Sequence, residues 1–257
     1  MITEWKPGHP VTGKRFAAVF PHSDDFTFNA FGLMSKLLAQ GYTGYWFRMT
    51  DDCMDSYNLP YGETAARIER ETEAVASFLG IAKVYHLNYN NHYLCGEQLI
   101  ELRHRLILLF RFLRIDTVIS FDPYGHYEEN PDHEICGKAV EHAAWMAGRQ
   151  SDLPESKDMG LPPHFVADKF YFARGPQESD CIVDITGELA RKRQAVAMHR
   201  TPLNNMWLGY LEKHPELTPD ALPYEQFVNR FFLTREQPVC EGYAHYEKFR
   251  HVISYEF

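Results

Sequence analysis

The stretch Phe16-Ala-Ala-Val-Phe20-Pro21-His22-Ser23-Asp24-Asp25 decides how the chain is expected to fold. Its first five residues form an uninterrupted apolar run, which is typical of a parallel β-strand buried on both faces. Residues 28–40 then have a helical pattern that ends at Gly41, a residue suited to a helix C-cap. The stretch therefore predicts a strand, a short polar loop and a helix, which is the repeating unit of an α/β fold.

The same alternation continues along the first two thirds of the chain. Apolar runs predict strands at residues 42–49, 83–87, 117–121, 170–173 and 181–184. Between and after them, amphipathic patterns predict helices at residues 63–79, 98–114, 132–147 and 186–199. This rhythm predicts a Rossmann-like, doubly wound and mainly parallel sheet with helices on both faces.

The length of 257 residues suits one domain, and we expect residues 1–257 to form a single one. Its core is predicted at about residues 14–200, where the strand and helix patterns are found. Residues 201–257 are expected to form an aromatic-rich C-terminal extension with an irregular pattern. We interpret its aromatic side chains as packing in a core or a lid.

Composition excludes several classes of partner. The chain has 26 basic and 35 acidic residues, which gives a net charge of −9 with histidine neutral. Proteins that bind nucleic acids need clustered Lys and Arg against the phosphates, and anionic membranes select the same residues. We therefore expect no nucleic-acid partner and no membrane partner, whereas a neutral sugar or a small amine remains possible.

Cysteine usage and the apolar segments bear on location. The five cysteines are scattered without a C-x-x-C pair, which favours free thiols in a reducing compartment. The N-terminus has no apolar segment typical of a signal peptide. The longest apolar stretch, residues 106–113, is short and contains Arg111. These features predict a cytoplasmic protein.

Residues with metal-ligand chemistry follow two of the predicted strands. His22 and Asp25 come directly after the first strand, and His133 follows the strand at residues 117–121. Ligands of open α/β sheets bind beyond the carboxyl ends of the strands. Imidazole and carboxylate groups suit zinc, and three protein ligands leave a position for water. Asp24 is then available as a general base. The alternative from pattern alone is that these residues are caps and hydrogen-bonding partners in loops.

Together these residues resemble the PIG-L/LmbE-like N-acetylglucosaminyl deacetylase family. Its motifs [A/P]-H-x-D-D and H-P-D-H look like PHSDD at residues 21–25 and NPDH at residues 130–133. Further similarities follow the family's order along nearly the whole chain, at residues 50–51, 67–80, 183–199 and 243–249. The resemblance implies hydrolysis of an N-acyl group, usually acetyl, from an amino sugar or a related amine.

The matched positions imply specific roles. His22, Asp25 and His133 would bind the metal, which would be Zn2+ or another divalent first-row ion. Asp24 would be the base, while the metal polarises the amide carbonyl. The expected partner is a small-molecule N-acetylated amino sugar or its conjugate, and relatives that resemble this chain often assemble, so a homo-oligomer is a further expectation.

One position departs from the family pattern. The family usually has His where this chain has Asn130, and asparagine can donate a hydrogen bond but cannot deliver a proton. Either Asn130 only supports the oxyanion, or another group protonates the leaving amine. We take His126 as the candidate acid and Tyr127 as a candidate oxyanion donor. An exposed loop histidine is the alternative for His126.

Weaker candidates and competing functions remain open. Arg67 and Asp51 are predicted to contact substrate, although a helix-surface arginine and a capping aspartate are the simpler interpretations. His86, His92, His104 and His142 have no partner motif and are interpreted as structural. A two-metal phosphoesterase would need additional bridging carboxylates. A protein that binds metal and sugar without turnover is the alternative that Asn130 favours.

Overall fold

An eight-stranded sheet organises the part of the chain that a computed structural model describes, namely residues 3–6, 14–126, 128–173, 179–234, 237 and 239–253. Its strands are β1 (Thr3–Glu4), β2 (Arg15–Phe20), β3 (Thr43–Thr50), β4 (Lys83–Tyr89), β5 (Thr117–Phe121), β6 (Asp168–Phe172), β7 (Cys181–Asp184) and β8 (Tyr246–Ile253). The helices are α1 (Asp25–Ala39), α2 (Tyr61–Leu79), α3 (Gly96–Leu113), α4 (Pro131–Met146), α5 (Leu189–Met198), α6 (Arg200–Lys213) and α7 (Tyr224–Val228).

The strand order is β1-β7-β8-β6-β5-β2-β3-β4, and the sheet is mainly parallel. Only β8 runs antiparallel to its neighbours β6 and β7 in the described ranges. The predicted α/β class with a doubly wound, mainly parallel sheet is thereby confirmed.

Both faces of the sheet are covered by helices because its central strands are apolar on both sides. In β2, Phe16, Ala18 and Phe20 pack into a core layer with residues of α1, α2 and α5. The alternate residues Ala17 and Val19 pack into a second layer with residues of α3 and α4. Successive side chains of a strand point to opposite faces, so one short run supplies both layers.

The helix predicted at residues 186–199 is shorter in the structure, and a further helix follows it directly. It begins only at Leu189, and α5 ends before His199, after which α6 starts at Arg200. His199 has a non-helical backbone (φ −78°, ψ 63°), is fully buried and hydrogen-bonds through Nε2 with Thr27 Oγ1 at 2.7 Å. The end of α5 thus lies within one residue of the predicted one, and the buried His199 ring ties the junction between α5 and α6 to α1.

The C-terminal segment is more regular than its sequence predicts. Helices α6 and α7 and a π-helical segment, Asn229–Leu233, pack around a separate apolar cluster that includes Leu203, Leu222 and Phe227. The chain then returns to the main sheet as β8, between β6 and β7. The last described strand thus belongs to the core sheet, although it follows the aromatic segment in sequence.

The described helices include none that is both long and apolar enough to cross a membrane.

All five cysteines are free, as predicted. Cys136 and Cys181 are buried in the two core layers.

Arg111, which interrupts the apolar pattern of α3, fixes the C-terminal end of α4 and the loop after it. Its side chain is almost fully buried. The guanidinium donates to Ser156 Oγ at 2.6 Å and to the carbonyl oxygens of Met146, Ala147, Arg149, Asp152 and Leu153 at 2.7–3.3 Å. Carbonyls at a helix C-terminus carry partial negative charge, so they compensate the buried cation.

We expect Arg111→Ala to lower the free energy of unfolding by about 3 kcal/mol, because several buried carbonyls lose their donor at once. The free energy of unfolding of Arg111→Lys should lie between those of Arg111→Ala and the wild type, since lysine keeps the charge but lacks the planar fork of donors. Urea denaturation measures both. Arg149 has a half-exposed side chain. Arg149→Ala is therefore the matched control and should change the free energy of unfolding by at most about 0.5 kcal/mol. An equal loss of stability in Arg111→Ala and Arg149→Ala would contradict the stabilising role of Arg111.

Candidate metal centre and active-site cavity

The candidate site lies where the winding of the sheet changes direction. From β2 the chain continues to β3 and β4 on one side, and it returns on the other side of β2 as β5. The loops that leave the carboxyl ends of β2 and β5 are therefore adjacent. Ligands of open α/β sheets bind in the crevice at such a switch point.

The three predicted metal ligands meet in this crevice. His22 Nδ1 lies 3.2 Å from Asp25 Oδ2 and 3.2 Å from His133 Nε2, and the last two atoms are 3.6 Å apart. In the described ranges, these residues form the one group of His, Cys and carboxylate side chains close enough to share an ion. Tetrahedral zinc with bonds of about 2.1 Å separates its ligand atoms by roughly 3.4 Å, so the spacing suits such an ion.

Each of the two histidines has a carboxylate behind it. His22 Nε2 lies 3.2 Å from Asp132 Oδ2, and His133 Nδ1 lies 3.0 Å from Glu128 Oε1. A carboxylate that holds the outer ring nitrogen leaves the inner nitrogen as an acceptor and fixes the ring's orientation. His22 therefore has the hydrogen-bonded outer support that metal-binding histidines usually have, whereas His133 lies at ion-pair distance from Glu128 without hydrogen-bond geometry.

Backbone contacts fix the loop that carries His22. The backbone N–H of His22 donates to Asp25 Oδ2 at 3.1 Å, and that of Ser23 donates to Asp52 Oδ2 at 2.9 Å. Thr50 Oγ1 donates to the carbonyl of Pro21 at 2.9 Å. The loop between β2 and α1 is thus tied to the end of the neighbouring strand β3.

The start of α4 fixes His133. Asn130 is the N-cap, and its Oδ1 accepts the backbone N–H of Asp132 at 3.0 Å. The His133 ring stacks on Phe121 with centroids 3.9 Å apart. Gly137 permits this approach, because a Cβ there would lie 2.8 Å from the Phe121 carbonyl oxygen. Helix α4 therefore packs directly against the end of β5.

Burial and neighbouring charges in the crevice shift the pKa values of several ionisable side chains. Burial, together with the charges of Asp25 and Asp55, raises the pKa of Asp24 well above its ordinary value. Burial also raises the pKa of Asp55 to about 7. Burial lowers the pKa of His22, but hydrogen bonds with Asp132 and Asp25 outweigh it and raise that pKa well above the ordinary value. Perturbed pKa values clustered in a cleft are typical of functional sites.

A cavity of about 250 Å³ opens onto the three candidate ligands. Its polar wall includes Asp24, Asp55, His92, Asn130 and Asn205. Apolar surface comes from Phe28, Pro202 and Met206. Residues of α6 thus form part of the wall, so the segment after residue 200 contributes to the candidate site.

The structure brings some predicted site residues together and separates others. Asp24 and Asn130 line the cavity beside the ligands. His126 lies exposed on the surface of the loop after β5. Tyr127 lies outside the described residues. The assigned roles of these four residues stay predictions.

Neither predicted substrate contact is among the residues that line this cavity. Arg67 lies on the exposed face of α2 and forms an ion pair with Glu63 at 2.6 Å. Asp51 Oδ1 accepts the backbone N–H groups of Cys53 and Asn91, at 3.1 and 3.2 Å. Asp51 therefore organises the loop after β3, and the substrate contacts of both residues remain predictions.

The sequence reasoning missed four polar residues of the cavity lining: Asn29, Asp55, His92 and Asn205. His92 was interpreted as structural because it lacks a partner motif. A usable signal was present, since His92 follows β4, whose carboxyl end lies at the same edge of the sheet as those of β2 and β5. The wall contributed by Asn205 depends on α6, a helix that the irregular pattern after residue 200 does not predict.

We expect Asp132→Asn to lower the affinity for zinc by about 10–100-fold although no ligand is replaced. The amide cannot accept all the hydrogen bonds that the carboxylate accepts, so the ring of His22 loses its support. Competition with a chromogenic chelator measures the affinity. Glu134→Gln, a half-exposed position on the same helix, is the control and should leave affinity unchanged. An unchanged affinity in Asp132→Asn would contradict the supporting role.

Comparisons with known proteins agree with the site. Residues 17–144 match the PIG-L family model, described as GlcNAc-PI de-N-acetylase. Diacetylchitobiose deacetylase of Thermococcus kodakarensis is 27% identical over 244 residues, which is 93% of this chain and 88% of that protein. The inhibitor complex of N,N′-diacetylchitobiose deacetylase from Pyrococcus horikoshii superposes with a TM-score of 0.74 at 26% identity and covers 94% of this chain and 85% of its own.

The fold is shared more widely than the activity. The 4-carboxy-2-hydroxymuconate hydratase of Pseudomonas putida KT2440 superposes with a TM-score of 0.66 at 17% identity and covers 95% of this chain and 98% of its own. That likeness concerns the fold alone. The family match, the deacetylase relatives and the shared architecture agree with the motifs of the two loops, and the chain belongs to the PIG-L family.

Proposed function

We propose that this protein is a zinc-dependent N-deacetylase that hydrolyses the acetyl group from an N-acetylated amino sugar or its conjugate. The observation that carries the proposal is the convergence of His22 Nδ1, Asp25 Oδ2 and His133 Nε2, with the carboxyl group of Asp24 in the same cavity. Two relatives that match over most of this chain are diacetylchitobiose deacetylases, whose substrate is an N-acetylated sugar.

The ligand set supports the choice of metal. Two imidazoles and one carboxylate are the donors that zinc takes in catalytic sites with an open position. Iron, cobalt or nickel accept similar donors and are the alternatives. When bound, a divalent ion supplies Lewis acidity, which polarises an amide carbonyl and makes a water molecule a better nucleophile at neutral pH.

Asp24 handles the proton in this proposal. Its side chain lines the cavity next to the ligands but is not one of the three converging groups. As a general base, it removes a proton from the water that attacks the amide carbon. Asp24 then holds that proton and can return it to the nitrogen of the leaving amine, so no separate acid is required at Asn130.

Asn130 has a different task. Its Oδ1 is engaged as the N-cap of α4, so the group that it can offer to a substrate is the Nδ2 donor. A donor suits the negative charge that develops on the carbonyl oxygen during attack. Asn130 is therefore proposed as an oxyanion donor rather than an acid.

Metal-replete protein should release acetate from N-acetylated sugars in a panel that includes N-acetylglucosamine and N,N′-diacetylchitobiose. A chelator should abolish the release, and added zinc should restore it, because water attack depends on the ion. An acetate assay coupled to metal analysis measures both. Chelator-resistant release, or no release with one ion bound per chain, would contradict the proposal. Two ions per chain would favour the phosphoesterase alternative instead.

Asp24→Asn should lower kcat by at least about 100-fold and leave one zinc per chain, because the amide cannot accept the proton. Steady-state kinetics and metal analysis on the same preparation test this outcome. Asp158→Asn, at an exposed position in the loop after α4, is the control and should behave as the wild type. Loss of zinc in Asp24→Asn, or an unchanged kcat, would exclude the assigned role.

A further inference from the structure

His92 has a backbone conformation that is uncommon for a residue other than glycine. Its φ is +63°, in the left-handed region that glycine enters at no steric cost and other residues enter with strain. Five other described residues besides glycine have positive φ, and His92 is the member of this set that lines the active-site cavity. Strained conformations of this kind concentrate at functional sites.

The backbone of His92 is fixed by the same carboxylate that supports the metal ligand His22. The N–H of His92 donates to Asp132 Oδ2 at 2.7 Å, and that of Leu94 donates to Asp132 Oδ1 at 3.0 Å. Glycine would make the same backbone contact without strain. The fold therefore requires a residue at this position but not an imidazole, whose ring centroid lies 6.0 Å from that of His22.

Asn205 contributes an independent observation from another wall of the cavity. It belongs to α6, lines the cavity with Pro202 and Met206, and has a buried Oδ1 that finds no hydrogen-bond partner among the described residues. Buried polar atoms are nearly always paired in folded proteins, because leaving one unpaired costs about 1–3 kcal/mol. An atom of this kind in a cavity wall suits a ligand group that completes the bond.

We infer that His92 and Asn205 bind the substrate by hydrogen-bonding the hydroxyl groups of a sugar ring held in this cavity. An imidazole and a carboxamide can each donate and accept, as a sugar hydroxyl does. Phe28, Pro202 and Met206 offer apolar surface to the C–H face of the ring. The cavity of about 250 Å³ suits one N-acylated ring, with any attached group outside it. The identity of the ring rests on the proposed function.

The test compares two glycine substitutions, one at His92 in the loop after β4 and one at Asn88 near the end of β4. Asn88 also has a left-handed backbone (φ +57°), but its side chain is exposed and outside the cavity lining. His92→Gly and Asn88→Gly both relieve strain, so both should keep or raise the melting temperature. His92→Gly should raise KM for N,N′-diacetylchitobiose by about tenfold with kcat changed less than about threefold, and Asn88→Gly should change neither.

Two further variants sharpen the test. His92→Asn, which tolerates the left-handed region and keeps a hydrogen-bonding group, should recover part of the affinity. Asn205→Ala should raise KM without loss of zinc. Wild-type kinetics in His92→Gly and Asn205→Ala would overturn the inference, and so would loss of zinc in either variant.

Failure of the proposed function can be separated from failure of this inference. If the wild type releases no acetate from any sugar, the proposed function fails. Calorimetric binding of N,N′-diacetylchitobiose and N-acetylglucosamine to the zinc-loaded proteins then decides the inference by itself. Weaker binding to His92→Gly than to Asn88→Gly supports it, whereas equal binding, or no binding to any of the proteins, overturns it.

Discussion

The geometry of the site depends on one buried carboxylate, that of Asp132. It hydrogen-bonds with His22 Nε2 and accepts the backbone N–H groups of His92 and Leu94, and no part of it is exposed. A buried charge is tolerated only when its hydrogen bonds are made. Asp132 therefore joins the loop after β2 and the loop after β4 to the start of α4, and this arrangement brings His22 and His133 together.

Much of this arrangement could be predicted because it follows from short-range patterns. The apolar runs at residues 16–20 and 117–121 indicate buried parallel strands, and their carboxyl ends meet at one edge of a doubly wound sheet. Any polar residues directly after these strands must then be near one another. For that reason the grouping of His22, Asp25 and His133 could be predicted, while their roles are proposals that the experiments described above would test.

The rest of the site could not be predicted because it depends on contacts between distant segments. Asn205 reaches the cavity from α6, a helix that the irregular pattern after residue 200 does not predict, and the preceding His199 ring is held by Thr27 of α1. The insertion of β8 between β6 and β7 joins the end of the chain to the middle of the sheet. Neither event leaves a periodic pattern in the sequence. His92 is different, since its place after a parallel strand was informative but no neighbouring motif drew attention to it.

The fold alone does not decide the reaction, because a hydratase shares it at low identity. What distinguishes this chain is the set of groups around the three converging ligands, and Asn130 shows how stability and chemistry compete there. Asparagine is among the best N-cap residues, and here it caps the helix that carries both Asp132 and His133. Histidine is not a favoured N-cap residue. Asparagine at position 130 therefore stabilises the start of α4 but cannot act as an acid. In the proposed reaction, proton transfer then falls to a neighbour, and Asp24 is one of the two carboxyl groups, with Asp55, that line the cavity beside the candidate ligands.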